Sequence, residues 1–215
     1  MMRSEFTRRW FLRGALAGGG VVAADGGLAM LGTQQVWAAS SGDVDILNFA
    51  LTKEFLELDF YQRATASGQI TDPAEQGLLK ALLADEQAHV QAVSGAVSQL
   101  GGTPGAKPSF RYPSNAFSGR VSIWTTAHAI EEAGLRAYLG QAGNLQTPAV
   151  LQAAASIFGI ECRHSALAAL VAGLQVEGGV FNGSMEASAS KADSLAALAP
   201  FLATMPNTGF APAGS

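Results

Sequence analysis

The sequence predicts an all-α fold: an antiparallel four-helix bundle with a long crossover between its second and third helices and a short extra helix near the C-terminus. Three observations predict it. Apolar residues recur at helical spacing in four long runs, and glycine and proline punctuate the gaps between them. The gaps are two short turns and one long proline-containing segment. The chain also resembles itself, since a shift of 77 carries Leu47, Glu54, Leu58 and Tyr61 onto Trp124, Glu131, Leu135 and Tyr138. A shift of 75 carries Leu79, Leu82, Glu86, His89 and Val93 onto Ala154, Ile157, Glu161, His164 and Ala168.

The chain has 215 residues, 48% hydrophobic and 14% charged, which suits one well-buried domain and excludes a disordered tail protein. Its first 38 residues read as a segment apart from the fold. Arg8-Arg9 is followed by Trp10-Phe11-Leu12, a weakly apolar run from Gly14 to Leu31, and the small-residue pattern Val36-Trp37-Ala38. This resembles a twin-arginine export signal, and a short N-terminal anchor helix is the alternative. Its glycines and Asp25 make a poor membrane span, and no later segment is expected to supply one. The expected location is therefore the periplasm or the extracellular space. Without residues 1–38 the chain carries nine basic and fifteen acidic residues, net −6, which is no nucleic-acid footprint. One cysteine, Cys162, allows no intramolecular disulfide.

The first helix is expected over Asp43 to Ala66, capped by Asp43 or Asp45 and ended by Ser67-Gly68. Asp72-Pro73 supplies a cap and a first-turn proline for the second, which runs to Leu100 before Gly101-Gly102. Residues 103–117, with Pro104, Pro108 and Pro113, form the crossover. The third helix spans about Ser118 to Ala142, and Thr147-Pro148 opens a fourth that continues to about Val176. Bundle residues thus cover 43–176. In the extension 177–215, Leu195 to Leu202 reads as a short helix and Met205 to Ser215 as an irregular tail.

Chemistry enters where polar residues fall on inward stripes. Glu86-x-x-His89 and Glu161-x-x-His164 stand on core positions of the second and fourth helices, and i, i+3 spacing lets one helix offer a carboxylate and an imidazole to one ion. Glu54 and Glu131 interrupt the apolar stripes of the other two helices. Four buried carboxylates cost several kcal/mol each unless cations offset them. No lysine or arginine recurs on these stripes, so one or two divalent ions are expected. Glu57 and Glu132 are alternative carboxylates, but the repeat pairs them with Gly134 and Phe55, which favours Glu54 and Glu131. His128 pairs with Leu51 and reads as a lining residue rather than a ligand, and Cys162 as a packing residue.

The set Glu54, Glu86-x-x-His89, Glu131, Glu161-x-x-His164 resembles the di-metal carboxylate motif of the ferritin-like superfamily. Ile46 to Leu51 through Phe60-Tyr61, and Glu131 through Ala137 to Gly140, are similar to exported ferritin-like proteins related to plant desiccation-related proteins. The resemblance implies two iron or manganese ions, Glu86 and Glu161 bridging, Glu54 and Glu131 terminal, and one histidine on each ion. Tyr61 and Tyr138 are expected either to hydrogen-bond the ligating carboxylates or to serve as plain core. Manganese catalases resemble the pattern too, with a glutamate at the position of Glu161 moving protons rather than serving as a ligand. The implied function is an exported oxidoreductase acting on peroxide or dioxygen, catalase-like or ferroxidase-like. The other reading is a non-enzymatic envelope stress or desiccation-related protein with a structural or vestigial metal site. A homo-oligomer fits either; no nucleic acid or stable membrane span is expected.

Overall fold

The computed structural model describes residues 41–203. The export signal expected over residues 1–38 and the tail expected over residues 205–215 lie outside the described residues. Five α-helices appear among the described residues: α1 (Ser41–Ala66), α2 (Pro73–Gln99), α3 (Arg120–Ala142), α4 (Pro148–Ala172) and α5 (Lys191–Leu198), with a 3₁₀ turn at Ala199–Phe201. Helices α1 and α2 pack as one hairpin and α3 and α4 as another. The hairpins meet mainly through α1 against α3, with α2 also touching α4.

Local chemistry explains most boundaries. Asp72 accepts hydrogen bonds from Ala74 N at 2.9 Å and Glu75 N at 3.0 Å, with Pro73 pre-shaped for the first turn of α2. Two expectations need correction. Helix α1 already begins at Ser41, so Asp43 does not cap it. Its buried carboxylate instead receives Gln146 N and Thr147 N, each at 2.9 Å, and secures the entry to α4. Thr147 itself makes no side-chain cap. Helix α4 stops at Ala172 rather than near Val176 because Gly173 takes a left-handed conformation, φ 83°, and closes it.

The inward face of α2 is Leu79, Leu82, Glu86, His89, Val93 and Val97, the stripe expected from the sequence. Helix α1 departs from a single stripe. Leu58 is only half-buried, whereas Phe49, Leu56 and Phe60 are buried as well as Leu47, Leu51 and Tyr61. The crossover causes this by covering the other side of α1. Tyr112 Oη donates to Leu56 O at 3.2 Å and Asp59 Oδ2 at 3.1 Å, and Asn48 bonds to the backbone of Thr103 and Gly105. Phe60, Tyr112 and Phe117 form an aromatic cluster, with centroids 5.1–5.8 Å apart, that continues to Phe201. A helix covered on all sides loses its amphipathic signature. Helix α5 packs on α3, with Ala189 N bonded to Arg136 O just before it.

By length and composition alone α4 passes for a membrane span, contrary to the expectation that no later segment would. In the fold it is a bundle helix whose inner face presents Glu161 and His164.

Candidate metal centre

Each of the four bundle helices brings acidic or imidazole groups to one place. Glu54, Glu86, Glu131 and Glu161 are fully buried and His89 and His164 nearly so. They form two overlapping sets whose ligand atoms lie within 4.8 Å of one another: Glu54, Glu86, His89 and Glu161; and Glu86, Glu131, Glu161 and His164. Glu86 and Glu161 belong to both sets, and each set takes one histidine and one further glutamate. The i, i+3 geometry is direct in α2, where His89 Nδ1 lies 3.2 Å from Glu86 Oε2. The same nitrogen lies 2.9 Å from Glu161 Oε1 and 3.5 Å from Glu54 Oε2. His164 Nδ1 faces Glu86 Oε1 at 2.8 Å, Glu131 Oε1 at 3.7 Å and Glu161 Oε2 at 3.9 Å.

The tyrosines cross between the repeats. Tyr61 of α1 donates to Glu131 Oε1 of α3 at 2.6 Å, and Tyr138 of α3 donates to Glu54 Oε1 of α1. Each leaves the second oxygen of its glutamate, Glu131 Oε2 or Glu54 Oε2, buried and without a hydrogen bond.

One residue contradicts the sequence expectation about cations. Lys53, adjacent to Glu54, is fully buried inside the cluster, with Nζ 2.7 Å from Glu57 Oε2, 2.9 Å from Glu161 Oε2 and 3.6 Å from Glu54 Oε1. The 2.7 and 2.9 Å approaches are contacts of charge rather than aligned hydrogen bonds. Glu57 is accordingly buried too, facing inward as Lys53's partner and belonging to neither ligand set. Gly134 makes the pair fit, since a Cβ there would stand 2.0 Å from Lys53 Cε and 2.7 Å from Glu57 Oε1. The Tyr138 ring lies 5.1 Å from the ammonium. The 77-residue shift places Ile130 opposite Lys53, so the lysine breaks the repeat.

Glu132 and His128 stand outside the cluster. Glu132 binds Arg136 and accepts from Ser165 Oγ, and His128 Nδ1 lies 3.0 Å from that same hydroxyl. Asp85, which the sequence reading passed over, lies half-exposed 3.5 Å from His164 Nε2, a charge contact rather than a hydrogen bond. Its position beside Glu86 was the available signal. Cys162 is partly buried and outside both ligand sets, and burial raises its thiol pKa.

Electrostatics follow from this packing. Burial opposes charge on Lys53, yet Glu161, Glu54 and Glu57 outweigh it and hold the ammonium well above its ordinary pKa. Burial likewise opposes charge on His89, but contacts with Glu161, Glu54 and Glu86 push it up to about 12. Glu161 is drawn well below the carboxylate range because Lys53 and His89 overcome its burial. Burial holds Glu131 and Glu57 well above that range, in the latter case against the pull of Lys53.

Divalent ions fit this donor set. Glu54 Oε2, Glu86 Oε1, Glu131 Oε2, both oxygens of Glu161 and His164 Nδ1 are buried without an aligned hydrogen-bond partner, and native interiors rarely leave such groups unmatched. Carboxylate-rich sites that include an imidazole favour harder ions over soft, thiophilic ones.

A ferritin-like domain family model matches residues 42–174, from the start of α1 to just beyond α4. The chain belongs to the ferritin-like domain family. Its four-helix core and long crossover are those of a ferritin-like bundle, and the buried carboxylate and histidine groups could hold metal ions. A search of curated proteins finds no match.

Proposed function

We propose that this ferritin-like protein is an exported oxidoreductase that holds two iron or manganese ions and acts on peroxide or dioxygen, in the manner of a catalase or a ferroxidase. The observation that carries this reading is the pair of overlapping buried ligand sets sharing Glu86 and Glu161. Paired redox ions, when bound, supply two-electron exchange with such an oxidant. Glu86 and Glu161, common to both ligand sets, would hold the ions together with Glu54 and His89 in one set and Glu131 and His164 in the other. Tyr138 and Tyr61 fix the rotamers of Glu54 and Glu131 through their hydrogen bonds.

Proton handling divides between neighbouring carboxylates. Sequence resemblance assigns proton transfer to Glu161. Among the protein's own groups Glu161 is held ionised between Lys53 and His89, which suits a ligand, while burial favours the protonated form of Glu131. A small cavity with apolar walls from Ile46, Phe49, Ala50, Ala137 and Leu145 reaches Lys53 and Tyr138, which favours a small uncharged oxidant. Arg8-Arg9 and the run after them support twin-arginine export.

Lys53 also favours a second reading. A cluster that carries its own buried cation can stand without metal, as an envelope stress or desiccation-related ferritin-like protein would. Metal analysis of the exported protein decides between them, with about two iron or manganese ions per chain expected for the enzyme. Oxygen release from peroxide without a donor marks a catalase, and Fe(II) oxidation a ferroxidase. Glu86→Ala should abolish both binding and turnover. A metal-free protein whose melting temperature ignores added iron and manganese would overturn the oxidoreductase.

A further inference from the structure

The two ligand sets are nearly related by the internal repeat, but Lys53 favours one of them. Around His89 the available atoms are Glu54 Oε2, Glu86 Oε2 and Glu161 Oε1, at 3.5, 3.2 and 2.9 Å from its Nδ1; Lys53 Nζ meets none of these three oxygens and approaches Glu54 only at Oε1, 3.6 Å away, the oxygen that Tyr138 already holds. Around His164 the corresponding oxygen of Glu161 is Oε2, and Lys53 Nζ stands 2.9 Å from it. The ammonium cannot swing clear at little cost, because it is buried between Glu57, the Tyr138 ring and the Gly134 backbone. A divalent ion at the His164 position must share Glu161 Oε2 with a fixed positive charge and is repelled by it, and such repulsion is strong where water is excluded.

We propose that Lys53 is a specificity-determining residue of the metal centre, holding Glu161 Oε2 so that the Glu131/His164 position binds its ion more weakly and exchanges it more readily than the Glu54/His89 position. This rests on the di-metal reading above. Glu57 tunes the effect, because it draws the ammonium away from Glu161, at 2.7 Å against 2.9 Å. Gly134 provides the space in which that division occurs.

The test is Mn(II) titration of the metal-stripped full chain, followed by calorimetry and by metal analysis after gel filtration. Wild-type protein should show two binding phases at least about tenfold apart. His164→Ala should remove the weaker phase and His89→Ala the tighter one. In Lys53→Met/Glu57→Gln, which removes both charges of the pair at nearly constant volume, the weaker phase should tighten about tenfold or more while the tighter phase stays within about threefold. Glu57→Gln alone, leaving Lys53 to Glu161, should weaken that phase further. If the double variant leaves the weaker phase unchanged, or His89→Ala removes the weaker phase, the inference fails while the metal centre stands. If none of these proteins binds Mn(II), the inference and the di-metal reading fall together.

Discussion

Replacing Gly134 with alanine isolates the close approach on which the buried ion pair depends. The added methyl would meet Lys53 Cε at 2.0 Å, Glu57 Oε1 at 2.7 Å and Lys53 Nζ at 2.9 Å, all far inside ordinary contact. Lysine is flexible, but this one has its ammonium fixed between Glu57 and Glu161, so a shift large enough to relieve the clash lengthens the 2.7 and 2.9 Å contacts. Overpacking costs about 1–3 kcal/mol, and separating a buried pair about 3–5 kcal/mol if it goes to completion. Against this, alanine is favoured over glycine within a helix such as α3 by about 1 kcal/mol. The net expectation is a loss of about 2–4 kcal/mol, or roughly 5–12 °C in melting temperature for a domain of this size. Urea unfolding of metal-stripped Gly134→Ala measures it. In a Lys53→Ala background the worst clash is gone, and the same change should become neutral or stabilising by up to about 1 kcal/mol. If Gly134→Ala matches or exceeds wild-type stability with Lys53 present, the packing argument is refuted.

The pH dependence of the metal-stripped protein has a defined sign. His89, raised to about 12, contributes stability that is fully present below about pH 6.5 and is lost as pH climbs toward 12. The raised Glu57 and Glu131 act in the same direction, whereas the lowered Glu161 gives stability that disappears as pH falls below its unfolded value near 4.5. Urea midpoints should therefore fall from pH 6 to pH 9; a rise would show that the cluster's charges are misassigned. Bound Mn(II) takes the place of protons on the histidines, so its affinity should increase over the same interval, which titration at each pH can read. Asp43→Ala strands the amides of Gln146 and Thr147 and should cost about 1–2 kcal/mol in urea unfolding, while Asp43→Asn should recover part of it. No loss with alanine would mean that the entry to α4 is secured some other way.

Much of the fold was legible because its signals are local. Asp72-Pro73 opens α2 through bonds made within three residues, and Gly173 closes α4 by its own backbone conformation, although a reading of apolar period alone carried that helix four residues too far. The stripe of α2 was readable because only one face of that helix is buried. Helix α1 was harder, since the crossover buries its far side and a helix apolar on several faces shows no single period.

By itself, the sequence determined that two Glu-x-x-His units and two matched glutamates occupy core positions of repeated helices. Periodicity and self-comparison measure exactly that, since both depend on residues a fixed distance apart in the chain. Only the tertiary structure decided that Lys53 and Glu57 turn into the same space, beside the buried carboxylates. The reason is physical: the lysine's place is made by a missing side chain at Gly134, on another helix 81 positions further along, and no spacing rule within one helix records a vacancy in its neighbour.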